Sequence, residues 1–134
     1  MSDAFPVTIF HNPACGTSRN VVAMVEAAGY RPEVVEYLQA GWTPDQLGAL
    51  FAEAGITPRE ALREKEAVAA ELGLQAPDAS DAAILAAMVE HPVLVNRPIV
   101  RTPKGAAMCR PSERVFDLLE RRPDHFVKED GEVV

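Results

Sequence analysis

The chain has 134 residues, of which 48% are hydrophobic, so it can build one core of ordinary size, and we expect a single domain over residues 1–134. Thirteen basic residues against 20 acidic ones give a formal net charge of −7, which argues against binding to nucleic acid or to an anionic membrane surface. No apolar run approaches the roughly 20 residues that span a bilayer, and no basic and then apolar leader begins the chain. We therefore expect a soluble cytoplasmic protein, in which an anionic ligand must be attracted by local groups.

A cysteine lies where the first predicted strand is followed by the first predicted helix. Residues 7–10 are rich in β-branched side chains and predict a strand, whereas residues 18–28 place apolar side chains at helical spacing before Gly29. Cys15 stands between them, where N–H groups and the positive end of the helix dipole favour an anion, either the thiolate itself, an incoming oxyanion, or both. Because this Pro-, Gly- and Ser-containing loop is a poor core position, Cys15 is a candidate nucleophile with a lowered pKa rather than a buried apolar residue.

The middle of the chain is predominantly helical. Residues 33–37 predict a second strand, which is joined to the first through the helix as a right-handed parallel crossover. A helical stretch of about residues 43–91 follows, in which Thr57 opens one helix with a capping box. We expect this helix to continue to about residue 72, which places Arg63 on one of its early turns.

The C-terminal part predicts strands and a closing helix. Residues 93–101 predict a strand before and a strand after Arg97-Pro98, and residues 106–109 return from a turn as the second strand of a hairpin. A last helix starts at residues 111–112, and the polar tail from Pro123 is expected to be loosely held. This order predicts an α/β, thioredoxin-like fold with a mixed sheet, in which a helical insertion separates the βαβ unit from the C-terminal ββα unit.

Several residues besides Cys15 are candidates for supporting roles. His11 either supports the thiolate by a hydrogen bond or a positive charge, or is a histidine satisfied by the backbone. Ser18 is expected to cap the helix and, as a second role, to donate a hydrogen bond to the thiolate. Cys109, the other cysteine, lies in a strand pattern and is expected to pack inside. The two cysteines are far apart in a chain with no export signal, so no structural disulfide is expected. Arg19 is a further cation beside the thiol.

Four segments together resemble the glutaredoxin-coupled arsenate reductases of bacteria. The first contains Cys15, and each of the other three contains one arginine. The segments are His-Asn-Pro-Ala-Cys-Gly-Thr-Ser-Arg-Asn at residues 11–20, Ala61-Leu62-Arg63, Asn96-Arg97-Pro98-Ile99-Val100 and Cys109-Arg110-Pro111-Ser112-Glu113. A ten-residue match around a single cysteine is a specific signal, and the resemblance covers nearly the whole length of the chain.

The resemblance implies roles for individual residues and for partners. Cys15 would be the catalytic thiol, Arg63, Arg97 and Arg110 would bind the oxyanion, and Pro98 would be a cis proline facing the cysteine. Arsenate would be the substrate, glutathione a co-substrate and glutaredoxin the reducing partner, with no bound cofactor. The residue types suit this chemistry, because the fork of arginine donors fits a tetrahedral oxyanion better than a lysine charge does. No His/Cys pair has the spacing of metal ligands, so no metal is expected.

Two alternatives stay open from the sequence. Regulators of the same fold bind RNA polymerase and sense oxidation through a Cys-x-x-Cys switch, but Ser18 takes the place of the second cysteine. The other alternative is a related glutathione-dependent thiol reductase of another substrate, because Glu64 and Glu66 place carboxylates near Arg63 and would weaken its hold on arsenate. A tyrosine-phosphatase-like reductase is excluded, since it requires a Cys-x5-Arg loop and residue 21 is Val.

Overall fold

A computed structural model describes residues 5–134 of the chain. Two compact units can be distinguished within it. The first takes the chain up to Glu36 together with Arg97–Val134, and the second is Tyr37–Asn96. Every helix in the described residues is too short or too polar to cross a membrane.

The first unit contains a mixed sheet with the strand order β2-β1-β3-β4. The strands are β1 (Thr8–His11), β2 (Glu33–Glu36), β3 (Ile99–Thr102) and β4 (Gly105–Met108). β1 runs parallel to β2 and antiparallel to β3, and β3 forms a hairpin with β4. Helix α1 (Gly16–Ala27) connects β1 to β2. The thioredoxin-like mixed sheet that the sequence predicts is confirmed.

Helix α1 packs against a C-terminal helix to form the core of this unit. That helix, Ser112–Leu118, is a 3₁₀ helix rather than the α-helix expected from the sequence. A 3₁₀ helix has three residues per turn, so Ser112, Val115 and Leu118 align on one side, and all three are buried. The core cluster also contains Met24 from α1 and Cys109 after β4.

The second unit is helical. Its helices are α2 (Tyr37–Ala40), α3 (Pro44–Ala54), α4 (Pro58–Ala61), α5 (Ala67–Glu71) and α6 (Asp81–Glu90). Helix α6 packs against α3 and α4. The expected capping box is present, since the Thr57 hydroxyl accepts from Glu60 N–H while the Glu60 carboxylate accepts from Thr57 N–H.

The expectation that Arg63 lies on an early helical turn is wrong. Helix α4 ends after one turn because Leu62 becomes extended and pairs in antiparallel fashion with Val95. Arg63 N–H then donates to Leu94 C=O at 2.8 Å instead of continuing the helix, and α5 starts only at Ala67. A tertiary backbone pairing therefore overrides local helix propensity here.

Two further expectations for the C-terminal half are wrong. Residues 93–95 do not form a strand, because Pro92–Leu94 is a 3₁₀ turn and only Val95 pairs, with Leu62. The tail from Pro123 is not loosely held, because Phe126 and Val134 exchange backbone hydrogen bonds of 3.0 and 2.8 Å. Both side chains also pack against the core of the first unit.

The capping box at Thr57 provides a test of this architecture. Thr57→Ala removes the acceptor for Glu60 N–H, so the free energy of unfolding should fall by about 1 kcal/mol. The measurement is urea denaturation followed by the fluorescence of Trp42, the single tryptophan, which is buried in the same unit. Thr57→Ser keeps the hydroxyl and should stay close to the wild type. Equal losses in both variants would contradict a capping role.

Candidate active site

The register of the sheet brings three chain segments to one edge. Phe10 at the end of β1 pairs with Ile99 at the start of β3, and Ile99 pairs with Met108 at the end of β4. Cys109 N–H then donates to Pro98 C=O at 2.9 Å. The residues that follow β1, precede β3 and follow β4 therefore meet, as is common for sites in α/β folds. The Arg97–Pro98 peptide bond is cis, as the resemblance implies.

The loop after β1 delivers Cys15 to the start of α1. Asn12 shapes this loop, because its backbone C=O accepts from Cys15 N–H at 3.0 Å and its side-chain Oδ1 accepts from Ala14 N–H at 2.9 Å. Cys15 itself is the N-cap residue of α1, with extended backbone angles, and it is partly exposed. The sulfur thus lies at the helix N-terminus, where an anion is stabilised.

Ser18 lies within the first turn of α1, so the expectation that it caps the helix is wrong. Its side chain is fully buried, and Oγ accepts from Asn12 N–H at 3.1 Å and hydrogen-bonds His11 Nδ1 at 2.5 Å. Burial lowers the pKa of His11, with Glu36 opposing and Arg19 assisting this effect. The neutral His11 imidazole therefore supports, through Ser18, the loop of residues 12–15, which we call the thiol loop.

Two of the three predicted arginines lie with Cys15 in the first unit. Nη1 of Arg110 is 3.8 Å from Cys15 Sγ and also donates to Arg97 C=O at 2.8 Å. Arg97 is itself buried, with 7% of its surface exposed, and its guanidinium lowers the pKa of the Cys15 thiol. Two guanidinium groups therefore lie next to the thiol.

These contacts control the ionisation of Cys15. Burial by itself raises the pKa of this thiol, but the Ser18 backbone N–H and the side chains of Arg97 and Arg110 outweigh burial. The net result is a pKa lowered to about 7. Cys15 is thus substantially a thiolate near neutral pH, and thiolates are the nucleophilic form.

Arg63 lies in the second unit and has its own partners. Nε is 3.3 Å from Glu66 Oε2, and Nη1 donates to Asn96 Oδ1 at 3.1 Å. The sequence identified Glu66 as a carboxylate near this arginine, and the ion pair confirms that proximity. Glu64 is exposed, and its backbone C=O accepts from the Gln75 side chain. The joint action of Arg63 with Arg97 and Arg110 stays a prediction.

Cys109 contrasts with Cys15. It is completely buried in the core, as expected, and burial raises its pKa to about 12. A thiol in this environment is neutral and inert at physiological pH. Within residues 5–134, no group of three His, Cys, Asp or Glu side chains is placed to hold a metal ion.

Two asparagines and one glutamate contact the candidate site residues, although no role was assigned to them from the sequence. Asn12 accepts hydrogen bonds within the thiol loop, and Asn96 accepts one from Arg63. Glu129 forms an ion pair with Arg19 at 2.9 Å. The dipeptide Asn12-Pro13 is a recognisable turn signal and could have revealed the first. No local sequence signal reveals the pair of Arg19 and Glu129, because its members are 110 residues apart.

The Cys15 environment predicts a pH profile. The alkylation rate of Cys15 by iodoacetamide should rise through about pH 7 and level off above it. Arg110→Ala removes a cation that lies beside the sulfur, so the pKa of Cys15 should increase by about 1. The exposed control Arg31→Ala should leave the profile unchanged. Identical profiles for wild type and Arg110→Ala would show that Arg110 does not stabilise the thiolate.

Comparison with known proteins identifies the family. A model of the ArsC family matches residues 10–118. The arsenate reductase ArsI2 of Synechocystis sp. is 59% identical over 129 residues, which cover 96% of this chain and 92% of that protein. An arsenate reductase of Rhizobium meliloti is 54% identical with the same coverage of both chains. The structure of an arsenate reductase from Vibrio cholerae matches with a TM-score of 0.82 and 39% identity, covering 86% of this chain and 98% of that one. The chain belongs to the ArsC family.

Proposed function

We propose that this protein is an arsenate reductase in which the Cys15 thiolate is the nucleophile. The observation that carries the proposal is the thiol with a pKa of about 7 next to the guanidinium groups of Arg97 and Arg110. Arsenate near neutral pH carries one to two negative charges, which repel a thiolate. Cations beside the sulfur remove that repulsion and stabilise the charge that develops in the transition state.

Arg97 and Arg110 bind arsenate oxygens in this proposal, and the resemblance assigns the same role to Arg63. Arginine suits this role because its planar fork donates two parallel hydrogen bonds to an oxyanion. The net charge of −7 makes such a local cluster necessary, since the chain as a whole does not attract anions. Glu66 then competes with arsenate for Arg63, because it already forms an ion pair with that side chain.

The reaction begins when Cys15 Sγ attacks arsenic and an oxygen leaves as water, which gives a covalent thiol–arsenate adduct. Glutathione attacks arsenic in this adduct as co-substrate, and a second oxygen leaves as water, so that arsenic is bonded to both the Cys15 sulfur and the glutathione sulfur. A glutaredoxin thiol then takes the glutathione sulfur as a mixed disulfide, and the two electrons released reduce arsenic from the pentavalent to the trivalent state. Water then hydrolyses the remaining bond between the Cys15 sulfur and trivalent arsenic, which releases arsenite and restores the Cys15 thiol. The protein needs no bound cofactor in this sequence of steps. His11, Ser18 and Pro98 serve to hold the thiol loop and the strand end beside it.

The proposal also includes a cytoplasmic location. Cys15 must be reduced to act as a nucleophile, and glutathione and glutaredoxin keep thiols reduced in that compartment. Partners of this kind are thiols rather than nucleic acid or a membrane, which agrees with the acidic composition.

A coupled assay with arsenate, glutathione, glutaredoxin and NADPH-dependent glutathione regeneration tests the function. Wild type should oxidise NADPH only when arsenate is present. Cys15→Ser should lose at least about 100-fold of this activity, because a hydroxyl is not ionised at neutral pH. Cys109→Ala should retain it, since that thiol is buried and neutral. No arsenate-dependent oxidation by wild type would refute the proposed function.

The role of Arg63 requires a separate test. Arg63→Ala should weaken arsenate binding by about 10-fold to 100-fold, the value of a charge-assisted hydrogen bond of about 1.5–3 kcal/mol. Glu66→Gln should have the opposite effect and strengthen binding, because it removes the competing carboxylate. The measurement is the KM for arsenate in the coupled assay. Lys65→Ala, a neighbouring exposed cation, is the matched control. An unchanged KM in Arg63→Ala would remove this residue from the proposed site.

A further inference from the structure

The C-terminal tail has an ordered conformation that the proposed reaction does not use. Residues 126–134 fold back on themselves, with Val127 paired to Val133 and Lys128 N–H donating to Glu132 C=O at 2.8 Å. Gly131 makes the turn with a positive φ of 93°, a conformation that glycine adopts readily. This hairpin lies beyond the segment that the family model matches, which ends at residue 118.

A buried lysine fixes the hairpin to the first unit. The Lys128 ammonium is 2.6 Å from a Glu113 carboxylate oxygen and 2.9 Å from a Glu132 carboxylate oxygen, and only 9% of the lysine surface is exposed. Glu113 belongs to the C-terminal 3₁₀ helix, which packs against α1. The position of the next residue, Glu129, is therefore set by contacts that do not involve the thiol loop.

Glu129 reaches the start of α1 from this fixed position. Its two carboxylate oxygens accept from Nε and Nη2 of Arg19, each at 2.9 Å, and its N–H donates to Asn20 Oδ1 at 3.0 Å. A Cβ built on Gly16, the residue after Cys15, would lie 3.6 Å from both Arg19 Nη2 and Glu129 Oε1. The tail therefore packs against the first residues of the helix that Cys15 caps.

The other end of the same guanidinium holds the thiol loop. Nη1 of Arg19 donates to Pro13 C=O at 2.8 Å. Pro13 lies two residues before Cys15, in the turn that Asn12 closes by accepting from Cys15 N–H. Because a guanidinium is planar and rigid, fixing Nε and Nη2 on a carboxylate also fixes the direction of Nη1.

We propose that Glu129 is a positioning residue for Cys15, which acts by orienting Arg19 so that its guanidinium clamps the Pro13 carbonyl of the thiol loop. This role concerns the position of the Cys15 sulfur, and only its consequence for arsenate reduction rests on the proposed function. About half of each side chain in the pair is exposed, 45% for Arg19 and 49% for Glu129, so the pair contributes little to global stability. Its effect is local to the loop.

The positioning role and a simple charge effect predict opposite results when Glu129 is neutralised. A carboxylate near a thiol disfavours the thiolate, so removing it should by charge alone lower the pKa of Cys15. Loss of the hydrogen bond from Arg19 to Pro13 should instead raise the pKa of Cys15. The sulfur then moves relative to the Ser18 N–H and the guanidinium groups that stabilise the thiolate. The sign of the change separates the two explanations.

The experiment is the pH profile of Cys15 alkylation by iodoacetamide in Glu129→Gln. The pKa of Cys15 should rise, with a roughly twofold slower alkylation at pH 7. Asp124→Asn is the matched control, since it removes the same charge from an exposed position of the same C-terminal tail, and it should leave the profile unchanged. A lowered or unchanged pKa in Glu129→Gln, or an equal rise in Asp124→Asn, would overturn the proposal.

Arg19→Lys provides a second variant that keeps the positive charge. A lysine can pair with Glu129, but its single ammonium cannot also reach Pro13 C=O in the same geometry, so the pKa of Cys15 should rise here as well. An unchanged profile in Arg19→Lys would also overturn the clamp. Alkylation needs no arsenate, so it tests the clamp even where the coupled assay fails, and an active wild type with unchanged profiles refutes the clamp alone.

Discussion

The active form of this protein depends on keeping a negative charge on a partly buried sulfur. Burial opposes that charge, and the chain as a whole is acidic. The Ser18 N–H, Arg97 and Arg110 reverse the balance, and they come from α1, from the residue before Pro98 and from the end of the β4 hairpin. None of these groups is near another in sequence. The Ser18 N–H is near the thiol because Cys15 caps the same helix. The pairing of β1 with β3 and of β3 with β4 is a precondition for the chemistry because it brings the two arginines to the thiol.

Neutral and charged groups have separate tasks around Cys15. Buried polar side chains must be hydrogen-bonded, so the contacts among His11, Asn12 and Ser18 restrict the loop to one arrangement. A positive charge on His11 is disfavoured there by burial. The cations that interact with the sulfur, Arg97 and Arg110, instead come from outside the loop. This division lets the buried part of the scaffold stay neutral, while the charges near the sulfur are available to an incoming anion.

The sequence predicted the parts of the fold that depend on local signals. The strand–helix–strand order, the Thr57 capping box and the β3–β4 hairpin follow from propensity, caps and turns. Cys15 could be identified because a helix start has a general effect on thiols. The failures arise from long-range pairing. The pairing of Leu62 with Val95 ends α4, and a tail that reads as polar and loose is held to Glu113 by Lys128. No window of local sequence contains both partners of such contacts.

The proposed reaction takes its reducing thiol from another molecule, and the environment of Ser18 supports that part of the proposal. A dithiol enzyme would place its second cysteine at this position, but here the site is fully buried and fitted to a hydroxyl. Oγ accepts from Asn12 N–H and contacts His11 at distances suited to oxygen, whereas a sulfhydryl is larger and a weaker hydrogen-bonding group. Cys109 cannot substitute, since it is completely buried with a pKa raised to about 12. Of the two thiols, Cys15 is therefore the one that is exposed enough to react, and in the proposed reaction it is the thiol that an external reductant meets.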